Sequence, residues 1–319
     1  MPDSALPVSR HHNPVLGIGL KVVSVCVFLG MSTLLKIPQG FPPGQLVFFR
    51  SFVAILPILI FLAYRGELSL GLKTKNPMGH VWRGLVGVGG MTLNFVALIN
   101  LPLPETVALG YAMPLLIVIF GAVFLKEDVR IHRWSAVLVG LIGVVVISWP
   151  RLTVFTTPSG EISSLTVGVL ASLMSCVIGA FAAMHVRHLV TTERSATIVL
   201  YFSIVCSIAG ALTAPFGWVM PTTEQWVMLI SAGMLGGIGQ ILMTEAYRHA
   251  DVSVIAPFDY TSLLLAIVVG YFLFNDIPTW HTLIGGTIVV SAGLFIIWRE
   301  YRLGLERRRQ KEVTPPTPG

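Results

Sequence analysis

Charge is scarce in this sequence. Only 11% of its 319 residues are Asp, Glu, Lys or Arg, against about 25% in soluble domains, and that deficit excludes a fully water-exposed surface. Cysteine is nearly absent too. Cys26, Cys176 and Cys206 each fall inside an apolar block, so free buried thiols are expected and a disulfide framework is not. No GxxxxGK loop occurs, which argues against ATP hydrolysis by this chain, and the glycine-rich GVGG and GGIG lie within apolar blocks where a nucleotide loop would not fold. His185 and His188 stand one turn apart without a carboxylate or third ligand, so no metal site is expected. No nucleophile or acid/base pair has a convincing spacing, and neither an enzyme nor a cofactor is expected. No cleavable signal is expected either: the first apolar block carries Lys21, is too long for such a peptide and has no small-residue cleavage site, so it should stay as the first helix.

Hydrocarbon is what the chain has. Hydrophobic residues make up 54%, the mean hydropathy is +0.81, and the apolar residues come in long blocks rather than alternating. A bilayer core needs about 20 helical residues per crossing. Blocks of that size fall at 14–35, 44–64, 81–99, 103–125, 132–149, 166–187, 196–216, 225–247, 252–274 and 279–298. The expected fold is all-α and integral to the membrane, with ten transmembrane helices. Only the linkers 65–80 and 150–165 reach about 16 residues, too few for a soluble domain.

Lys and Arg accumulate on the cytoplasmic side of membrane proteins. With the N-terminus inside, seventeen of the 21 basic residues fall in inner segments, Arg83 among them. Two, Lys36 and Arg151, fall outside, and Lys21 and Arg50 lie within spans. This predicts a multi-pass protein of the cell membrane with both termini cytoplasmic. The net charge of +6 then reflects orientation, and no nucleic-acid partner is expected.

The chain also repeats itself. At an offset of 149 residues Gly87 falls on Gly236, Gly90 on Gly239, Ala97 on Ala246, Tyr111 on Tyr260, Gly121 on Gly270, Glu127 on Asp276, His132 on His281 and Trp149 on Trp298. At 151, Gly17 falls on Gly168 and Ser24 on Ser175. Five helices per copy is an odd number, so the second copy enters from the opposite face. Two inverted five-helix repeats are a transporter architecture with a solute site near midplane. The organisation is a cytoplasmic segment 1–13, a first repeat 14–149, an external linker 150–165, a second repeat 166–298, and a basic cytoplasmic tail 299–319 that meets anionic headgroups.

Two stretches carry a family resemblance: GAVFLKEDVRIHRW with GLIGVVVI closing the first repeat, and GYFLFNDIPTWHT with SAGLFII closing the second. Over residues 14–298 the chain resembles the EamA branch of the drug/metabolite transporter superfamily. VFFRSFVAILPILI and HVWRGLVGVGGMTLNFVALINLPLPETVAL resemble the uptake members for riboflavin and S-adenosylmethionine. The resemblance implies a secondary transporter of small organic metabolites, with riboflavin-like uptake favoured and import or export of amino acids or S-adenosylmethionine-like solutes as the alternative. The second repeat has FND where the first has LKE, so Asp276 is not expected to carry chemistry.

Candidate site residues follow from polarity at membrane depth. Asp259 interrupts the apolar run IAPFDYTSLLLAIVVGYFLF. At 1.5 Å per residue it lies roughly 11 Å from the inner end of its helix, and Lys21 lies roughly 10 Å from the inner end of the first. The two share a depth and have opposite signs. Burial favours a neutral carboxyl and a nearby cation an ionised one, so Asp259 suits either proton coupling or the polar end of a solute. Lys21 and Arg50 have stems long enough to snorkel instead. Pro114 frees the carbonyl of Gly110 and Pro257 that of Ser253, next to the repeat-matched Tyr111 and Tyr260. Unpaired backbone at this depth is tolerated where it lines a wet cavity. Asn94 and Gln240 add amides on glycine-rich helix faces, which serve equally for close helix packing. Asp259, Tyr260, Tyr111, Asn94, Gln240 and Lys21 are therefore the expected solute-binding residues. The cavity is expected between helices 3, 4, 8 and 9, with 1 and 6 beside them. The partners are a small organic solute, membrane lipid and a coupling proton, and a homodimer stays open.

Overall fold

A computed structural model describes residues 13–124, 126, 129–152, 163–189, 192–250 and 252–313. Glu127, most of the 150–165 linker, the first twelve residues, the last six and the side chain of His188 lie outside the described residues.

Every regular element among the described residues is helical. The main helices are α1 (Pro14–Lys36), α2 (Pro43–Tyr64), α3 (Pro77–Asn100), α4 (Leu103–Phe124), α5 (Ile131–Ser148), α6 (Ser164–Leu189), α7 (Ser195–Ala211), α8 (Thr223–His249), α9 (Ala256–Phe274) and α10 (Trp280–Val313). Nine are long and apolar enough to cross a membrane, and α7 is a shorter apolar helix of 17 residues. The molecule is a multi-pass membrane protein.

Local chemistry sets the helix ends. Pro14, Pro43 and Pro77 open α1, α2 and α3, at the position where a missing N–H is harmless, and Asn13 and Asn76 cap α1 and α3 through their side chains. Thr222 and Gln225 form a reciprocal capping box at α8. Two boundaries differ from the sequence expectation. The seventh helix ends at Ala211 rather than near 216, where a 3₁₀ turn around Pro215 and Gly217 at φ +96° take over. The tenth continues to Val313 because the segment after its apolar block, WREYRLGLERRRQKEV, is made largely of good helix formers. A third correction concerns Arg83, which lies well inside α3 rather than in an inner loop.

In lipid, helices gain nothing by hiding apolar surface from one another, so small residues and interhelical hydrogen bonds drive association. The helix pairs exchange when the halves are exchanged: α1 packs on α8 as α6 packs on α3, while α2 meets α7, α4 meets α9 and α5 meets α10. Matched residues make matched contacts. Ser24 donates to the Gly239 carbonyl at 3.0 Å, and Ser175 to that of Gly90 at 2.8 Å. A methyl added at Gly17 would sit 2.6 Å from Ala250, and one at Gly168 2.6 Å from Leu101, residues separated by the repeat offset. Outward faces stay apolar, as the stripe of exposed Phe52, Leu56 and Ile60 on α2 shows.

A loop carboxylate ties α7 to the start of α3. One Glu193 oxygen accepts from Thr74 Oγ1 at 2.8 Å and from the backbone N–H groups of Lys75 at 2.8 Å and Asn76 at 3.0 Å. His80 Nε2 lies 3.7 Å from the other oxygen. Burial pushes this carboxyl up, but the three hydrogen bonds and His80 outweigh it and hold Glu193 below the usual glutamate range. Its stabilisation is therefore full above the unfolded glutamate pKa and is lost as pH falls through the lower folded value. The melting temperature of Glu193→Gln should lie below wild type at neutral pH, with the gap closing on acidification. A gap that does not vary with pH would show that the carboxylate charge contributes nothing.

Candidate functional site

Both fourth helices of the repeats break beside their tyrosine. α4 consists of segments Leu103–Gly110 and Ala112–Phe124 joined at Tyr111. α9 begins with a 3₁₀ turn, Ala256–Tyr260, before the regular helix Thr261–Phe274. Pro114 and Pro257 place the breaks, since neither can complete the hydrogen-bond ladder behind it. The freed backbone finds other partners: Cys176 Sγ lies 3.5 Å from the Leu109 carbonyl and 3.7 Å from that of Gly110.

The breaks border a cavity of about 510 Å³. Its polar lining includes Asn94 of α3, Tyr111 of α4, and Asp259, Tyr260 and Ser262 of α9, set among apolar residues such as Met31, Phe95 and Ile296. Lys21 stands behind Asp259, with Nζ 2.7 Å from the carboxylate. The lysine side chain is 2% exposed while that of Asp259 is 46% exposed. Lys21 therefore does not snorkel. Its ammonium also lies 5.3 Å from the centre of the Tyr247 ring, a cation–π contact. Tyr111 and Tyr260 meet edge to face with ring centres 4.8 Å apart. The Tyr111 hydroxyl lies 2.6 Å from Ser262 Oγ and 3.1 Å from the Asp259 carbonyl, so it fixes the turn that presents the carboxylate. Gly293 of α10 leaves room for the Tyr260 phenol, which a side chain there would displace.

Asp259, Tyr260, Tyr111 and Asn94 thus share one cavity, with Lys21 as the ion partner behind it. Gln240 is not among the lining residues, and its backbone carbonyl accepts from Thr244 Oγ1 at 2.8 Å. The wall also differs from the sequence expectation: α10 contributes Gly293, Ile296 and Ile297, whereas α6 and α8 contribute no lining residue. α6 and α8 pack on α3 and α1 through their serine and glycine contacts.

Sequence reasoning missed the polar cluster closing one end of the bundle. Glu105, 2% exposed, takes a two-pronged contact from Arg151 at 2.6 and 3.1 Å, and Thr282 Oγ1 lies 3.3 Å away. Lys36 Nζ donates to the carbonyls of Leu98 and Leu101 at the end of α3, and Asp276 accepts from the Leu103 N–H at 3.0 Å. The available signal was an acid three residues into the fourth apolar block, matched by two basic residues that defied the charge asymmetry.

A multi-pass helical bundle with a mostly apolar internal cavity, dotted with a few polar groups at broken helices, is the build of a small-molecule membrane transporter. The chain belongs to the EamA-like transporter family, whose model matches residues 16–149 and again 166–299. It is 29% identical to the S-adenosylmethionine uptake transporter of Rickettsia bellii over 256 residues, 80% of this chain and 84% of that one. Against the riboflavin transporter of Vibrio cholerae it is 27% identical over 314 residues, 96% of this chain and the whole of the other. The pseudopaline exporter CntI of Pseudomonas aeruginosa is 27% identical over 278 residues, 86% of this chain and 94% of the exporter. One crystal structure, 18% identical, superposes with a TM-score of 0.63 over 89% of this chain and 97% of its own, a likeness of fold.

Proposed function

We propose that this protein is a secondary transporter that carries an aromatic organic metabolite through the cell membrane by alternating access. Its ten spans form two inverted repeats with both termini cytoplasmic. The exchangeable helix contacts and the paired Ser24–Gly239 and Ser175–Gly90 bonds support the repeat, and rocking of one repeat against the other would expose a central site to each side in turn.

The observation that carries the reading is the half-exposed Asp259 carboxylate, held in the cavity by a fully buried lysine. Lys21 meets one carboxylate oxygen without covering the group, leaving the other for a donor or cation on the solute. Tyr111 and Tyr260 offer aromatic edges beside it and Asn94 an amide. Riboflavin-like and S-adenosylmethionine-like solutes both suit this arrangement. The carboxylate favours the second, which brings a positive charge, and the relatives that share these names add support.

Purified protein in proteoliposomes should take up radiolabelled S-adenosylmethionine or riboflavin above the rate of empty liposomes, measured with and without a pH gradient. Uptake of neither, by protein whose folding is verified by a sharp melting transition, would refute this substrate class.

A further inference from the structure

Beside the cavity, the packed helices bury Arg50 and half-bury Arg83, two arginines that the transport reading leaves unused. Arg50 of α2 is 9% exposed. Arg83 of α3 carries shielded Nε and Nη1 atoms that lack any hydrogen-bond partner. They approach one ring from different helices: the guanidinium carbon of Arg83 lies 4.4 Å from the centre of Phe202 of α7, and that of Arg50 6.0 Å. No carboxylate pairs with either among the described residues. The ionisable groups that act on them are the Cys206 thiol and, for Arg83, Arg50 itself.

Repeat-matched glycines make the room. A methyl at Gly87 would collide with Arg83 Nη1 and with Phe202, and one at Gly236 would sit 3.5 Å from Arg50 Nε. Here the glycine seam accommodates guanidinium groups as well as neighbouring helices. Two like charges taken out of water without a counter-charge destabilise a protein, and contact with Phe202 offsets only part of that. The site is therefore suited to an anion. Met31 separates it from the cavity: this residue lines the cavity wall, and its Sδ would lie 3.1 Å from the same methyl position at Gly236. An unbranched methionine is a partition that rotates easily.

We propose that Arg50 and Arg83 form an anion subsite that receives a carboxylate or phosphate group of the transported solute, reached from the cavity past Met31. Guanidinium forks suit either group. The proposal rests on the transport reading and deepens it: the solute carries an acidic group in addition to the donor or cation placed on Asp259.

The test is binding, so that it is separate from the uptake assay. The full chain in phosphatidylcholine nanodiscs is melted with inorganic phosphate and with chloride at equal ionic strength. Wild type should be stabilised by phosphate over chloride. Arg50→Met and Arg83→Met should each lose the response or need about thirtyfold more phosphate, the usual scale for truncating one partner of a buried charge contact. Without phosphate both variants should melt at or above wild type, because an unpaired buried charge has been removed. Arg50→Lys keeps the charge without the fork and should fall between. A wild type blind to phosphate, a response unchanged in both methionine variants, or phosphate-free variants melting well below wild type would each overturn the subsite. Stabilisation by phosphatidylglycerol in the nanodisc but not by free phosphate would overturn the solute assignment in favour of a lipid headgroup.

Discussion

Asp259→Asn should lower uptake by about tenfold or more, equivalent to ~1.4 kcal/mol of lost interaction, and should flatten whatever pH dependence transport has. The amide keeps the size and hydrogen-bonding capacity of the side chain and removes its charge. The two partners of this ion pair are unequal. Lys21 is 2% exposed and Asp259 46%, so losing the carboxylate strands a buried ammonium, whereas losing the lysine leaves a carboxylate that cavity water still reaches. Breaking a buried pair from one side costs about 3–5 kcal/mol, and the open side of Asp259 puts Asp259→Asn at or below the lower end. Lys21→Met should cost less. Adding Lys21→Met to Asp259→Asn should restore the melting temperature without restoring uptake, separating the structural share of the pair from its transport share. Wild-type uptake and pH profile in Asp259→Asn, at matched reconstitution, would show that the carboxylate takes no part in transport.

Arg151→Met should be among the most destabilising single changes, by about 3 kcal/mol or more. Glu105 is 2% exposed and has two Arg151 nitrogens on its carboxylate; among the described residues, without them only the Thr282 hydroxyl at 3.3 Å remains as a hydrogen-bond partner. This cluster joins the start of α4 to the end of α5 and to α10, so its loss loosens three helices at the end of the bundle that also holds Lys36 and Asp276. Glu105→Met with Arg151→Met removes both charges and should recover most of the stability, since apolar replacements of a buried pair are often neutral. Melting in detergent of the two single variants and the double completes the cycle. Additive losses would show that the two side chains do not act as a pair.

The position of each helix along the chain was legible in the sequence, and direction around the helix axis was not. The apolar blocks located the helices to within a few residues at most ends, because hydrocarbon thickness dictates their length. Glycine, serine and tyrosine matches between the halves marked contacts that the structure contains, Ser24 to Gly239 and Ser175 to Gly90 among them. Lys21 and Asp259 were paired by counting residues from helix ends, since two opposite charges at one depth in a bundle gain strongly by meeting. Tertiary structure alone decided the rest. These helices are apolar nearly all round, so no pattern in them says which side faces a cavity and which faces lipid. Gln240 was thus expected on the cavity wall where it does not lie, α10 supplied a wall in place of α6 and α8, and Arg50 and Arg83 converge on Phe202 from helix positions of different depth. Long side chains erase the depth rule that short ones obey: a guanidinium several ångströms from its own backbone meets partners that only the packing of α2, α3 and α7 brings within reach.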